Sequence, residues 1–212
     1  MNRMVNSNPI VERVAEYYEG RLREHGATPA GVDWNSEASQ YLRFEQLLRI
    51  MVPGEPPGTV NDFGCGYGAL ADYLAAHHPD WTYHGFDVSP AMIDAARQLH
   101  PPHERRTFTA EMARAPKATY TVASGIFNVK LDTPVEAWRA YVLATLDTLA
   151  SMSEAGFAFN ILTGYADPER QRPDLYYADP VALFAHCRQR FSPRVALLHD
   201  YPLYEFTMLV RM

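Results

Sequence analysis

A run of glycines between two acids carries most of the chemistry that this sequence offers. Gly64, Gly66 and Gly68 follow Asp62 in the pattern D-x-G-x-G-x-G, directly after an apolar stretch typical of a buried strand. A second acid, Asp87, ends the next such stretch, roughly 20 residues further on. A strand, a glycine-rich turn, a helix, a second strand and an acid predict a site for the adenosine part of a nucleotide-like cofactor.

The acid before the glycines distinguishes this pattern from the dinucleotide fingerprint G-x-G-x-x-G. In that fingerprint the glycines let backbone N–H groups and a helix N-terminus approach a pyrophosphate. Asp62 lies close to where the pyrophosphate would lie, and a buried carboxylate would repel a phosphate. A ligand that carries an ammonium and a sulfonium suits the carboxylate, so we expect S-adenosylmethionine. Asp87 supplies the ionised acceptor that the two ribose hydroxyls of this cofactor need.

These residues resemble the motifs of class I, Rossmann-like methyltransferases that depend on S-adenosylmethionine. Asp62 and the three glycines match the first motif of that family, and Asp87 matches the acid that grips the ribose hydroxyls. The resemblance spans residues 55–212 at the level of fold and motif. It is specific for the cofactor and says nothing about the methyl acceptor.

The helices that must position this site have clear N-cap signals in the sequence. A capping residue followed by proline marks four of them: Asn8-Pro9, Ser89-Pro90, Thr133-Pro134 and Asp179-Pro180. Thr133 and Glu136 also form a capping box, and Ser36 is a further cap. Together with a helix after Gly68, these signals predict helices at about 9–25, 37–51, 69–78, 90–99, 134–150 and 180–190.

Apolar segments between these helices predict seven strands, at about 59–63, 82–86, 106–109, 120–124, 156–162, 194–199 and 204–211. The alternation predicts an α/β fold with a doubly wound, mainly parallel sheet and helices on both faces. Only residues 200–203 separate the last two strands, which is too short for a parallel crossover, so we expect an antiparallel hairpin there. A terminal hairpin of this kind is also the topology of the family that the chain resembles.

We expect one domain over residues 1–212, with a Rossmann-like core at 56–212 and a helical extension at 1–55. The resemblance implies that the extension lies over the cofactor pocket as a lid and contacts the substrate, for which Tyr17 and Trp34 are candidates. Tyr17 and Tyr18 are neighbours, so at least one points at the pocket or at solvent. An amphipathic stripe packed on the core is the alternative for the first helix. Arg43 is a candidate to pair with the methionine carboxylate, or an exposed helix residue.

Ligands of open α/β sheets bind at the carboxyl ends of the strands. The remaining cofactor-binding candidates lie at such ends or one turn into the next helix: Cys65, Val88, Met92, Glu111, Met112, Ser124 and Phe127. The resemblance implies that Glu111 accepts from the adenine amino group and that Met112 packs on the ring. A solvated loop acid is the alternative for Glu111, and a core position is the alternative for Met92.

The segment after the fourth strand, residues 124–128, is the part of the family's fold nearest the transferred methyl group. It lacks the prolines of the D/N-P-P-Y/F motif, so methylation of nucleic-acid bases loses support. Asn128 is a candidate to orient a substrate hydroxyl or amine. Asn160, in the fifth strand, and Tyr177, in the long loop after it, are further candidates for substrate binding.

Methyl transfer from a sulfonium requires an aligned, deprotonated nucleophile and little else, so a general base is helpful without being obligatory. His199 and Tyr165 are the titratable candidates at strand ends, although a satisfied edge-strand histidine is the alternative for His199. We expect alignment to dominate. The other histidines and the two cysteines, Cys65 and Cys187, show no metal-ligand spacing, and we predict no metal.

Composition narrows the class of partner. The chain of 212 residues carries a formal net charge of −6, which argues against a nucleic-acid partner. Apolar runs stay well below the ~20 residues of a membrane span, and residues 1–8 lack the apolar core of a signal peptide. We therefore expect a cytosolic monomer or homodimer that acts on a small molecule.

The sequence thus predicts an S-adenosylmethionine-dependent methyltransferase that acts on an oxygen or nitrogen nucleophile of a small molecule. A catalytically silent protein that binds the same cofactor is one alternative. A nicotinamide-dependent oxidoreductase is another, although Asp62 and the even spacing of the glycines argue against it.

Overall fold

A computed structural model describes residues 8–111 and 115–212. The elements follow in the order α1 (Pro9–His25), α2 (Glu37–Leu48), β1 (Thr59–Phe63), α3 (Ala69–His77), β2 (Thr82–Phe86), α4 (Pro90–Leu99), β3 (Arg106–Thr109), β4 (Ala118–Ala123), α5 (Val135–Ser151), β5 (Ser153–Leu162), α6 (Pro180–Arg190), β6 (Arg194–Leu198) and β7 (Glu205–Arg211). Short 3-10 helices at Pro29–Val32 and Pro168–Arg170 lie between them.

The seven strands form one sheet in the order β3-β2-β1-β4-β5-β7-β6. Strands β1 to β5 run parallel to one another, and β7 is antiparallel to both β5 and β6. The predicted fold class, including the terminal hairpin, is confirmed. The chain order reverses between β1 and β4, which places a topological switch point at the carboxyl ends of these two strands.

Four of the predicted helix caps hold in the structure. The side chains of Asn8, Ser36, Ser89 and Asp179 each accept a hydrogen bond from a backbone N–H of the first helical turn. The cap predicted at Thr133 is wrong, because α5 begins at Val135 without a side-chain cap. The Thr133 hydroxyl accepts from Arg13 of α1 instead, so a tertiary contact has replaced the local one.

Two apolar clusters cover opposite faces of the sheet. Alternate strand residues point to opposite faces, so Ala158 packs in one cluster while its neighbours Phe157 and Phe159 pack in the other. The first cluster joins the sheet to α2, α3 and α4, and the second joins it to α5 and α6. Ile10 and Val14 of α1 pack against the second cluster.

The two N-terminal helices differ in how deeply they are built into the fold. Helix α2 buries Phe44, Leu47 and Leu48 in the first cluster and is part of the core, whereas the sequence reading placed all of residues 1–55 in the extension. Helix α1 has no fully buried residue. Of the two N-terminal helices, α1 alone is packed loosely on the rest of the described chain. Among the described helices, none is long and apolar enough to cross a membrane.

Candidate active site

A cavity of about 280 Å³ lies at the carboxyl ends of β1, β2 and β4. Its walls come from the turns after these strands and from helices α1, α2 and α5. The position coincides with the switch point of the sheet, where ligands of open α/β folds bind. Its volume is close to the lower end of the range for small-molecule sites.

The glycine turn after β1 forms one wall of the cavity. Gly64 and Gly66 have φ values of 80° and 54°, in the left-handed region that favours glycine. A Cβ atom at Gly64 would lie 2.3 Å from the Cγ2 atom of Ile126, so only glycine fits there. The N–H groups of Gly64 and Cys65 donate to the Phe86 carbonyl at 2.7 and 2.9 Å, which ties the turn to the end of β2. Gly64, Cys65 and Gly66 all line the cavity, as predicted candidates for cofactor contact.

Asp87 lies at the end of β2 and is held in place by the backbone. Its carboxylate accepts from the N–H of Gly66 and from the N–H of Ser89, both at 2.9 Å. Burial raises the pKa of Asp87, while these two hydrogen bonds act in the opposite direction. The next residues of the predicted set, Val88 and Met92, line the same cavity, with Val88 half-exposed and Met92 buried.

Asp62 is buried, lines the cavity and has one neutral hydrogen-bond partner. The Tyr83 hydroxyl donates to its carboxylate at 2.7 Å. Burial, which the Tyr83 hydrogen bond opposes and the charge of Asp87 reinforces, raises the pKa of Asp62 to about 7. A cation brought into the cavity would stabilise the ionised form.

The residues present fit S-adenosylmethionine. Asp87 offers a fixed carboxylate for vicinal hydroxyls, the turn at Gly64 and Gly66 leaves space that a side chain would fill, and Asp62 suits a positive group. The Ser124 hydroxyl also lines the cavity and is buried without a hydrogen-bond partner among the described residues. A bound ligand would satisfy it.

The residues that α1 and the segment after it contribute to the cavity wall differ in part from those predicted. Tyr18 lines the cavity, whereas the Tyr17 hydroxyl donates to Asp33 at 2.5 Å and ties α1 to the 3-10 turn. The expectation that Tyr17 contacts substrate is corrected, because its neighbour Tyr18 is the one that faces the cavity and adjacent helix residues diverge. Trp34 does line the cavity, as predicted, and packs where a Cβ atom at Gly125 would lie, 2.4 Å from its Cζ2 atom.

Arg43 pairs within the protein rather than facing the cavity. Its Nε donates to both carboxylate oxygens of Glu205 at 2.9 Å, its second guanidinium nitrogen contacts the same carboxylate, and both side chains are buried. Its guanidinium carbon lies 3.9 Å from the centroid of the Trp34 ring. The cofactor role expected for Arg43 is therefore replaced by a structural one, because Glu205 already takes its charge.

Asn160 completes this buried network beneath the cavity. Its side-chain N–H₂ donates to Glu205 at 2.6 Å, and its side-chain oxygen accepts from the N–H of Gly125 at 2.7 Å. Asn160 is buried and does not line the cavity. The substrate contact expected of it is corrected to support of the turn after β4.

The three residues singled out as catalytic are not brought to the cavity. Asn128 is buried, and its side-chain oxygen accepts from the Leu162 N–H at 3.1 Å, which joins the turn after β4 to the end of β5. His199 follows β6, the outermost strand, and its exposed ring stacks on the exposed ring of Tyr165 with centroids 6.1 Å apart. These assignments are corrected because Asn128 is bonded to the backbone of Leu162, and neither it nor the exposed pair of His199 and Tyr165 lines the cavity.

The remaining predicted positions divide in the same way. Phe127 is fully buried against Phe159 in the second cluster. Ile126 lines the cavity at the place where Phe127 was expected.

The Tyr177 hydroxyl accepts from the backbone N–H of Arg172 at 2.9 Å, outside the cavity wall. Glu111 lies on the exposed segment after β3, where its N–H donates to the Thr109 hydroxyl at 3.1 Å. Met112 lies outside the described residues.

Several residues of the cavity wall were not among the predicted site residues. They occupy one stripe on α1 and one on α5: Val11, Val14, Ala15, Tyr141, Thr145 and Thr148. Both stripes have the spacing of neighbours on one helix face, and that periodicity was the available signal. For α1 the same periodicity is also that of an amphipathic helix packed on a core, which was the alternative given for that helix.

Comparison with known proteins gives consistent results. A family profile described as "Methyltransferase domain" matches residues 61–142. The provisionally named methyltransferase Rv1506c of Mycobacterium tuberculosis is 51% identical over 164 residues, which cover 77% of this chain and 98% of that protein.

More distant relatives match a smaller share. The trans-aconitate 2-methyltransferase of Methylobacterium radiotolerans is 37% identical over 43% of this chain and 38% of its own length. The 18S rRNA (guanine-N(7))-methyltransferase of mouse is 32% identical over 36% of this chain and 31% of its own length. Among solved structures, magnesium protoporphyrin IX methyltransferase from Synechocystis with bound S-adenosylhomocysteine superposes with a TM-score of 0.65 at 15% identity, over 94% of this chain and 98% of that one.

Proposed function

Because this chain belongs to the class I S-adenosylmethionine-dependent methyltransferases, we propose that it methylates an oxygen or nitrogen nucleophile of a neutral, largely apolar small molecule. S-adenosylmethionine is its cofactor, and membership in the family sets aside the oxidoreductase alternative. The cytosolic location and the monomeric or dimeric state stay predictions.

The composition of the cavity wall carries this proposal. Among the described wall residues the charged ones are Asp62 and Asp87, and none is lysine, arginine or histidine. A carboxylate or phosphate acceptor would find no lysine, arginine or histidine in the described wall to pair with, at an electrostatic cost. A tricarboxylate such as the trans-aconitate named for three of the relatives fits this wall poorly.

The described wall also bears on how the nucleophile loses its proton. Burial raises the pKa of Tyr18, raises that of Tyr67 to about 12, and raises that of Cys65, so these groups stay protonated at neutral pH. They are poor general bases in this state. Asp62 and Asp87 are assigned to the cofactor, which leaves alignment as the main contribution of the protein.

Each wall element then has a defined task. The cofactor, when bound, supplies a sulfonium methyl group to the nucleophile. Asp87 and the turn at Gly64 would hold the nucleoside end, and Asp62 would pair with a positive group of the cofactor. Trp34 and Ile126 close the cavity above the turn after β4 and exclude water from the reacting groups.

The test is a methyl-transfer screen with S-adenosylmethionine whose methyl group is deuterated. We expect the labelled methyl to appear, by mass spectrometry, on neutral aromatic or long-chain compounds that carry a hydroxyl or an amine. An Asp87→Ala protein serves as the matched control and should leave the panel unlabelled. Label that appears only on carboxylic acids or on RNA would contradict the proposal.

A further inference from the structure

The face of the sheet beneath α1 is covered in an unusual way. A parallel crossover with its own helix takes about a dozen residues or more, and the segment from β3 to β4, residues 110–117, is shorter than that. Helix α1 lies on this face instead, with Ile10 and Val14 packed against the second cluster beside Tyr141 of α5. The N-terminal helix therefore covers a surface on which a helix between β3 and β4 would otherwise pack its own side chains.

The replacement leaves space. No residue of α1 is fully buried, although the helix spans the sheet face from α5 to α4, with Arg13 hydrogen-bonded to Asp132 and Ser89 donating to Glu19. We call the space the α1–α5 slot, and it is lined by Val11, Val14, Phe63, Tyr141, Thr145 and Thr148. The slot is continuous with the part of the cavity that contains Asp62 and Asp87. From Tyr141 to Thr148 it extends roughly 10 Å along α5, at 1.5 Å per residue.

The walls of the slot are apolar in practice. The Thr145 hydroxyl donates to the Tyr141 carbonyl at 2.9 Å, and the Thr148 hydroxyl donates to the Ala144 carbonyl at 3.3 Å. Both donors are thus satisfied within the helix. Burial raises the pKa of Tyr141, so its phenol stays neutral. The two carboxylates of the described cavity wall, Asp62 and Asp87, come from the ends of β1 and β2 and not from α1 or α5.

We infer that the α1–α5 slot binds an apolar extension of the methyl acceptor, a ring system or an aliphatic chain about 10 Å long. This inference rests on the proposed function and deepens it. The ammonium, carboxylate and ribose hydroxyls of the cofactor need polar partners that these walls do not supply. The adenine ring is the part of the cofactor that apolar walls also suit, and the affinity for S-adenosylhomocysteine in the filled variants separates these two occupants. An apolar group would gain from burial there, and it would give α1 the packing that it lacks.

The experiment uses the full-length protein with saturating S-adenosylhomocysteine and the neutral fluorescent probe N-phenyl-1-naphthylamine. Thr148→Phe fills the slot from α5, and Val11→Phe fills it from α1. Ala140→Phe adds the same side chain at an exposed position of α5 and is the matched control. Straight-chain primary alcohols then compete with the probe. Circular dichroism establishes that each variant is folded, and if one is not, the variant on the opposite wall carries the test.

We expect the wild type to bind one probe and both filled variants to bind it at least about tenfold more weakly, with Ala140→Phe within about twofold of wild type. Each added methylene should strengthen alcohol competition about fourfold until the slot is full. Affinity for S-adenosylhomocysteine should stay within about twofold throughout. Probe binding that is absent from the wild type or insensitive to both filled variants overturns the inference. Loss of S-adenosylhomocysteine affinity in both variants also overturns it, since the slot would then belong to the cofactor. Failure of the proposed function is separate, because it appears as label on carboxylic acids or RNA in the transfer screen.

Discussion

At the scale of single residues, two buried acids beside the glycine turn differ in their hydrogen-bond partners. Asp87 is held by two backbone N–H groups and is prepared to accept hydroxyls. Asp62 has one neutral donor, Tyr83, and burial raises its pKa to about 7. The difference in hydrogen-bonding partners, which sequence spacing does not show, separates the acid that binds hydroxyls from the acid that responds to a cation.

The raised pKa of Asp62 predicts a pH-dependent affinity for the cofactor product. A positive ligand group favours the ionised carboxylate, so binding of S-adenosylhomocysteine should release a proton below pH ~7. Affinity should rise by up to about tenfold per pH unit towards pH 7 and level off above it. Calorimetric titrations between about pH 5.5 and 8.5 measure this, and an Asp62→Asn variant should give a flatter curve. An equally steep curve in that variant would assign the proton to another group.

The same residue bears on the stability of the ligand-free protein. Its pKa in the folded state is raised above the unfolded value of about 3.9. The protonated form of Asp62 therefore makes its full contribution to the free energy of unfolding below pH ~4. This contribution is lost as the pH rises through about 7. Bound cofactor should reduce this loss, because it stabilises the ionised form.

His199 provides the complementary prediction. Because its ring is exposed on the outer hairpin, stacked on Tyr165, we expect His199→Ala to change turnover by less than about tenfold. Steady-state kinetics with the acceptor found in the transfer screen measure this, beside a pH–rate profile of the wild type. A loss of about 10²-fold or more, with cofactor and acceptor affinities preserved, would make His199 a general base and contradict the geometry.

At the scale of elements, the buried Arg43–Glu205 pair joins α2 to β7 and, through Asn160, to the turn after β4. Removal of one partner leaves an uncompensated charge in the core. We expect Arg43→Met to lower the free energy of unfolding by about 3–5 kcal/mol, and the double variant Arg43→Met, Glu205→Leu to recover part of that loss. Urea unfolding measures both. A fully stable Arg43→Met protein with weakened cofactor binding would restore the cofactor role that the sequence suggested.

Helix α1 should respond to ligand, because it has no fully buried residue and four of its residues, Val11, Val14, Ala15 and Tyr18, line the cavity. We expect S-adenosylhomocysteine to slow tryptic cleavage within α1, at Arg13, Arg21 and Arg23, by several-fold. Cleavage at Arg188 in α6 is the internal control and should change little. Equal protection of both helices would indicate global stabilisation, and no protection of α1 would remove it from the site.

At the scale of the whole molecule, the features that the sequence predicted depend on neighbouring residues, and those that it did not predict depend on distant contacts. The strand ends at Asp62 and Asp87, the glycine turn and four helix caps depend on local chemistry, and all of them hold in the structure. The terminal hairpin followed from connection length. These are features for which a few neighbouring residues decide the outcome.

The acceptor side of the cavity depends on contacts between distant parts of the chain. Val11 of α1 and Thr148 of α5 line one cavity because a short β3–β4 connection leaves the sheet face to an N-terminal helix. The rule that strand ends carry function selected His199 as well, but β6 is the outermost strand and its end lies away from the switch point. Sheet order and helix packing, rather than residue type, decided these positions.

The most direct test of the account is calorimetric titration of the protein with S-adenosylhomocysteine and, separately, with NAD. We predict saturable one-site binding of S-adenosylhomocysteine and no measurable binding of NAD. Asp87→Ala should weaken the former by about 2–3 kcal/mol, or about two decades in affinity, since it removes a charged hydrogen-bond acceptor. Asp94→Ala, at an exposed position of α4, should leave it unchanged. Saturable NAD binding without any response to S-adenosylhomocysteine, or full affinity in a folded Asp87→Ala protein, would contradict the assignment of this cavity.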